Sequence, residues 1–348
     1  MKAAVIHEYG SPDELKFEDM PDPSPGPGEV LIRTAATSIN PLDVKMRSGA
    51  VKEYFPVSFP AILGWDVSGT VEKVGPGVKN FIKGDKVFGQ TAQADATMCV
   101  VKVADLARVP DGMDLVSVAA LPTVTTTGAE LAALALEGKN GGTLLVTGTA
   151  GNVGRSAVFV AKEKGATVIA GVRKGQTEEA RALGADRILA LDDETAIAGL
   201  ELLDAIADTV NGTTATKLIG KLKQGGVFAS VLSAPTNAAE YPSIAVKTMQ
   251  VKEDPRVLSH MAEAVRAGRL FDPAWPAFRT ERREQGARSS GKGCRGENPA
   301  GRVRGCRVGR SAGTCEQQQP DAVRIETKNI NAGHFWLTEL AEISRLDP

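Results

Sequence analysis

The run Gly148-Thr149-Ala150-Gly151-Asn152-Val153-Gly154 carries the sharpest chemistry in the sequence. It follows the apolar stretch Thr143-Leu144-Leu145-Val146-Thr147 and opens a segment of helical periodicity at 155–164. Glycines in such a place make a tight turn, let the backbone approach a pyrophosphate, and let a helix pack close to a strand. The start of the helix adds unpaired N–H groups and the positive end of its dipole. Gly148, Ala150, Gly151, Asn152, Val153 and Gly154 are therefore expected to cradle the phosphates of a dinucleotide. A glycine triplet alone also fits a plain turn, and it is the strand-loop-helix context that favours the nucleotide. The next strand ends in Ala170-Gly171-Val172-Arg173-Lys174-Gly175, with no carboxylate before Glu178. An Asp or Glu there would hold the ribose 2′-hydroxyl of NADH, whereas Arg173 and Lys174 can neutralise a 2′-phosphate, so NADPH is expected. The other reading of the two cations is solvated surface charge.

The elements that position these residues fall into two textures. The first third is rich in Pro and Gly and carries short apolar strands at 30–32 and 67–74, bounded by turns such as Gly75-Pro76-Gly77. From about Ala119 onward, Ala-rich helical patterns alternate with short strands at 143–147, 167–170, 187–190, 205–208 and 226–231. That alternation predicts a parallel, doubly wound sheet behind a β-rich unit.

Several further segments bear a family resemblance: Pro25-Gly26-Pro27-Gly28-Glu29-Val30, Ser38-Ile39-Asn40-Pro41-Leu42-Asp43, Pro60-Ala61-Ile62-Leu63-Gly64-Trp65-Asp66, Gly84-Asp85-Lys86-Val87, and Leu121-Pro122 leading to Thr127. Together with the glycine loop, this string resembles the medium-chain dehydrogenase/reductase superfamily and, within it, the zinc-free quinone oxidoreductases. The resemblance covers roughly residues 1–278. It implies an α/β protein, with a GroES-like β-rich catalytic domain, a Rossmann doubly wound parallel-sheet cofactor domain, and a cleft between them. The expected division is 1–120 for the catalytic domain, 121–260 for the NADPH-binding domain, and 261–278 for a return to the catalytic domain.

Zinc-dependent members carry a Cys where this chain has the region of Thr37 to Asn40, and Gly-His-Glu where it has Gly64-Trp65-Asp66. Tryptophan cannot ligate zinc, and no Cys precedes Cys99. The expected site therefore has no metal, which removes the Lewis acid that would steady an alkoxide and argues against alcohol dehydrogenation. Hydride addition to a quinone or to the β-carbon of an α,β-unsaturated carbonyl stays open.

By resemblance to zinc-free members, Asn40 and Asp43 line the floor of the nicotinamide pocket. Thr127 contacts the nicotinamide or its ribose, and the turn Val231-Leu232-Ser233 meets the carboxamide. Tyr54 reads either as a phenol that donates a proton near the cleft or as a loop aromatic. Asp43 could serve only the start of a helix, and Asn40 only loop backbone. The histidines, His7, His260 and His334, form no site at recognisable spacing.

The bulk properties bound the rest. With 348 residues, 42% hydrophobic and 24% charged, the chain reads as an ordinary globular protein of two domains. A net charge of -1 gives no overall pull toward nucleic acid. No run of about 18 apolar residues suits a bilayer. The start Met1-Lys2-Ala3-Ala4-Val5-Ile6-His7-Glu8 does not read as a secretory signal, so a cytoplasmic location is expected. The partner is a small-molecule quinone or enone, and the resemblance makes a homodimer plausible.

Residues 279–348 form an anomalous tail. The stretch from Arg279 to Gly313 loses apolar periodicity and fills with Arg, Gly and Ser, so poor order is expected there. A shift of reading frame would account for it, since residues 289–301 can be encoded so that a one-base slip restores a Gly-x-Lys-Ile-type ending. The leading function is a zinc-independent, NADPH-dependent reductase of quinones or enones. The alternatives are a reductase of enoyl or crotonyl thioesters, and a cofactor-binding protein that lost turnover through its altered C-terminus.

Overall fold

The computed structural model describes residues 1–138, 140–249 and 254–270, with the backbone of two later strands. The expectation for residues 279–348 lies outside the described residues, those two strands apart.

In chain order the first part gives β1 (Lys2–Ile6), β2 (Lys16–Asp19), β3 (Glu29–Ile39), α1 (Pro41–Ser48) and β4 (Ala61–Ile62). It continues through β5 (Asp66–Val74), β6 (Lys86–Gln90), β7 (Met98–Lys102) and β8 (Leu106–Arg108). The long strand β3 is the hub: it pairs antiparallel with β5 along most of its length and with β7 on its other edge. Register shifts in the β3–β5 pairing bend the strands, as bulges do. Val30, Ile32, Val67, Val71, Val87 and Leu106 close a core against this sheet. A small antiparallel sheet, β2-β1-β4, lies beside it.

A short α2 (Leu115–Val118) leads into α3 (Pro122–Leu136), where Pro122 at the first helical position has no N–H to leave unpaired. Thr125 and Thr126 of α3 are buried with their hydroxyls satisfied, donating back to the carbonyls of Leu121 and Pro122. Then follow β9 (Thr143–Thr147), α4 (Asn152–Glu163), β10 (Thr167–Val172), α5 (Thr177–Ala180), β11 (Arg187–Ala190) and α6 (Glu194–Ala198). The series closes with β12 (Leu203–Asp208), α7 (Gly212–Leu218), β13 (Leu222–Ser230) and β14 (Ala245–Thr248). These strands form one parallel sheet in the order β11-β10-β9-β12-β13-β14. Its inner strands read as unbroken apolar runs because both faces are covered by helices, and Leu144, Leu145 and Val146 are fully buried.

The last described helix, α8 (Pro255–Arg266), joins the two halves. Its Leu258, Met261 and Val265 share a core with Phe88, Ala107, Val118 and Leu121 of the first half, and Phe159 and Val160 of α4 pack on the same cluster. Cutting Leu258 or Met261 to Ala would cost about 2–5 kcal/mol, a large part of a domain's stability of ~5–15 kcal/mol. The division expected after residue 260 falls inside this helix.

Beyond it, β15 (Val323–Ile325) and β16 (Phe335–Glu339) are antiparallel, and β16 pairs with Thr37 to Ile39 of β3. Among the described residues no helix is long and apolar enough to cross a membrane.

Candidate active site

The glycine loop sits where the parallel sheet reverses its winding. β9 has β10 on one side and β12 on the other, and in such sheets ligands occupy the crevice beyond the strand C-termini at that point. Gly148 takes φ +67°, and a Cβ there would lie 2.3 Å from Thr209 Oγ1. A Cβ on Gly154 would lie 2.5 Å from the carbonyl oxygen of Gly148, so only glycine lets α4 approach the end of β9. At Gly151, by contrast, nothing lies nearer than 3.4 Å, and the residue is exposed. Two glycines thus serve the protein's own packing, and the one on the crest leaves room for a ligand. Gly151 is the N-cap of α4 and has no side chain to bond the first-turn N–H groups, nor is there an acidic residue in that turn. An anion fits this cradle.

Strand ends around the loop are tied by Asp208, which is fully buried. It accepts from Thr147 Oγ1 at 2.8 Å and from Ser230 Oγ at 3.0 Å, while Thr209 Oγ1 donates to the Thr147 carbonyl at 2.8 Å. In the following turn, Val231 is half-buried and Leu232 and Ser233 are exposed, with Ser233 Oγ accepting from Asn211 Nδ2 at 2.7 Å. Arg155 reaches from the Ala150 carbonyl to Glu179 of α5, and so holds the segment after β10 beside the phosphate loop. Arg173 and Lys174 stand exposed at the end of β10. Arg173 Nε meets only Gln176, and Lys174 meets Asp192 through its backbone N–H, so neither charged group is in an ion pair among the described residues.

The first half contributes Asn40 and Asp43, which are 2% and 5% exposed. Asn40 is the N-cap of α1, and its backbone N–H donates to Asp43 Oδ2 at 2.6 Å. The two residues are placed as a capping box, and Asn40 Oδ1 and Asp43 Oδ1 are both buried without a hydrogen-bond partner. Burial pushes the Asp43 carboxyl well above the usual carboxylate range, and the nearby Asp95 and Asp66 add to it against the hydrogen bonds from Asn40. Two buried, unsatisfied oxygens are costly unless something completes them.

Asn40 Nδ2 donates to Asp66 Oδ2 at 2.9 Å, where Ser38 Oγ also donates at 2.6 Å. Asp66 Oδ1 takes the backbone N–H of Thr123 at 2.9 Å and its hydroxyl at 2.7 Å. Burial raises Asp66 above its ordinary value and the four hydrogen bonds oppose this. Two donors on each oxygen is the pattern of an ionised carboxylate. Thr123 stands at the start of α3, whose Thr127 is 8% exposed, and α3 is pressed onto α4: a Cβ on Gly128 would lie 2.4 Å from Ser156 Cβ.

The structure therefore joins Asn40 to Asp43, links both through Asp66 to the helix of Thr127, and sets that helix against the phosphate loop. Tyr54 is not part of this arrangement. It is 81% exposed in the turn after α1, and its phenol has no hydrogen bond among the described residues. Asp66, Thr123, Asp95 and Asp208 carry little signal in the sequence, because their partners lie far away in the chain.

Cys99 is fully buried, and burial pushes its thiol up to about 12, which leaves it unreactive. His7 meets Glu18 and His260 meets Glu163, both near the surface. Among the described residues no three His, Cys, Asp or Glu side chains are grouped as a metal ion would need. A cavity of about 780 Å³ between α3, α4 and α8, lined by Ala129, Ala133, Val160, Val257 and Met261 among others, includes no residue of the site.

Comparison with known proteins bears on both halves. Residues 26–133 match the alcohol dehydrogenase GroES-like domain. A chloroplast envelope quinone oxidoreductase homolog of Arabidopsis thaliana is 31% identical over 272 residues, covering 73% of this chain and 81% of that protein. The NADPH-dependent alkenal/one oxidoreductase of the chloroplast in the same plant is 30% identical over 249 residues, 68% of this chain and 64% of that one. Among solved structures, the quinone oxidoreductase from Coxiella burnetii superposes with a TM-score of 0.70 at 28% identity, over 78% of this chain and 89% of that one.

Proposed function

We propose, because the chain belongs to the medium-chain dehydrogenase/reductase superfamily as a quinone-oxidoreductase-like member, that it reduces a quinone or an α,β-unsaturated carbonyl with hydride from NADPH and without a metal. The observation that carries the reading is the crest of the glycine loop. Gly151 is open and exposed at the N-terminus of α4 and the sheet's switch point, and two unpaired cations stand at the end of the next strand.

Gly148, Ala150, Gly151, Asn152, Val153 and Gly154 hold the pyrophosphate with backbone N–H groups and the helix dipole. Arg173 and Lys174 take the 2′-phosphate, which favours NADPH over NADH. When bound, the cofactor supplies a hydride from its nicotinamide C4. Asn40, Thr127 and the turn Val231-Leu232-Ser233 fix the ring, and positioning of this kind is a large share of what a site without a metal can contribute. Asp43 does the acid work. Its unpartnered Oδ1 and its carboxyl, shifted upward by burial, suit a proton donor. As hydride reaches the acceptor carbon, the electron pair displaced onto the acceptor oxygen takes that proton, and solvent restores it to Asp43. The exposed Tyr54 has no step in this scheme. Trp65, where zinc-dependent relatives carry a histidine, keeps the reading metal-free.

Anaerobic NADPH oxidation against a panel of quinones and enones tests this, with NADH in parallel and a chelator present. The expected result is turnover that survives the chelator and is at least ~10-fold better with NADPH in kcat/KM, the worth of one charge-assisted contact. Loss of rate on chelation refutes the metal-free reading. Quenching of NADPH fluorescence without oxidation by any acceptor would instead mark a cofactor-binding protein without turnover.

A further inference from the structure

Asp66 belongs to no step above, yet it bonds Asn40 with one oxygen and Thr123, one helical turn before Thr127, with the other. We propose that Asp66 is a positioning residue: one carboxylate sets the orientation of the Asn40 carboxamide with one oxygen and anchors the helix of Thr127 with the other. The inference rests on the nicotinamide pocket being where the proposed function places it.

An asparagine amide can sit either way round, and its neighbours decide which. A carboxylate only accepts, so Asp66 Oδ2, at 2.9 Å, takes the NH2 of Asn40 and turns the amide oxygen away. That oxygen is the buried acceptor left without a partner. It is completed by a ligand group that donates, such as a carboxamide N–H or a ribose hydroxyl. Reversing the amide would present NH2 to the ligand instead and turn acceptance into a donor-to-donor clash.

The other oxygen of Asp66 does for α3 what a capping side chain does elsewhere. The N-cap of α3 is Leu121, which has no capping group. Asp66 Oδ1 accepts both the N–H and the hydroxyl of Thr123 in the first turn, where an anion is favoured by the helix dipole. Gln90 Nε2 donates to the same hydroxyl at 2.9 Å and fixes its direction toward Asp66. Asn40 and Thr127 are thereby held in register by one buried anion reached from β5.

The test is a double-mutant cycle with D66N and N40D. In D66N the two amides face each other, Asn40 loses its fixed orientation, and kcat should fall about 10–100-fold while the fold remains. The N40D change alone sets two carboxylates together and should be at least as damaging. In D66N/N40D the amide of residue 66 donates to the carboxylate of residue 40, whose second oxygen again faces the ligand. Activity should then recover about 10-fold over either single variant. A residue that only supports the core would give additive losses and no recovery.

Two readouts stand apart from turnover. NADPH affinity by fluorescence titration should weaken in D66N and recover in the pair. In the cofactor-free wild type, the side-chain NH2 of Asn40 should exchange slowly with solvent by NMR, because a buried carboxylate holds it. Fast exchange there overturns the proposal even if D66N does not fold. Wild-type turnover with NADPH, together with unchanged D66N kinetics, also overturns it and leaves the proposed function standing. A wild type that neither binds nor oxidises NADPH fails at the earlier step, whatever Asn40 does.

Discussion

Replacing Asp95 with asparagine should raise the stability of the protein near neutral pH and leave it little changed in acid. Asp95 is 7% exposed, and burial pushes its carboxyl from an ordinary 3.8 to about 6; the Thr37 hydrogen bond opposes this and nearby Asp66 adds to it. The Thr37 hydroxyl has a single proton and lies 2.7 Å from the Asp66 carbonyl oxygen and 3.1 Å from Asp95 Oδ1. When it donates to Asp66, Asp95 can bond to it only by donating in turn, which a protonated acid or an amide can do and a carboxylate cannot. Asparagine therefore reproduces the comfortable state of this side chain at every pH.

The sign follows from proton counting. Below about pH 4 both folded and unfolded chains are protonated at this group. Between about pH 4 and about 6 the folded protein keeps a proton that the unfolded chain has lost, so stability falls as pH rises, and above about 6 the loss is complete. At ~1.4 kcal/mol per pKa unit, the wild type gives up ~3 kcal/mol over that window and the variant does not. Urea unfolding at about pH 4.5 and about pH 8 measures it, and the variant's advantage should widen by about 2–3 kcal/mol at the higher pH. A constant gap, or one that widens toward acid, would refute the reasoning.

Other outcomes can be stated briefly. G154A puts a methyl group 2.5 Å from the Gly148 carbonyl, so it should destabilise by about 1–3 kcal/mol in thermal unfolding and weaken NADPH binding measurably. The pair R173S and K174S should raise the Kd for NADPH about 10–100-fold with little change for NADH, as read by fluorescence titration; equal loss for both nucleotides would place the cations elsewhere. D43N keeps an oxygen for the Asn40 N–H but no transferable proton, so kcat should drop ~10²–10⁴-fold while NADPH affinity holds, and an unchanged kcat would remove Asp43 from the chemistry.

What could be read in advance was local. β9 and β11 match the predicted bounds because a run such as Leu144-Leu145-Val146, buried on both faces, announces itself without reference to anything distant. The helix after the loop begins at Asn152, three residues before the predicted start at 155, because the glycine run is at once the turn, the N-cap and the first helical turn. Asp66 was opaque for the opposite reason. Its meaning depends on Ser38, 28 residues away, and on Thr123, 57 residues away, and only the pairing of β3 with β5 and the start of α3 bring them together. Tyr54, a phenol close in sequence to Asn40 and Asp43, stands in solvent in the turn after α1, a placement that residue type alone does not announce.

Helix α8 makes the two halves hard to separate. Its apolar stripe is shared property, inserted where the GroES-like sheet and the wound sheet abut, so neither half is watertight alone. A gene fragment stopping ahead of Asp254 would leave Phe88, Val118 and Leu121 facing water and should collect in inclusion bodies.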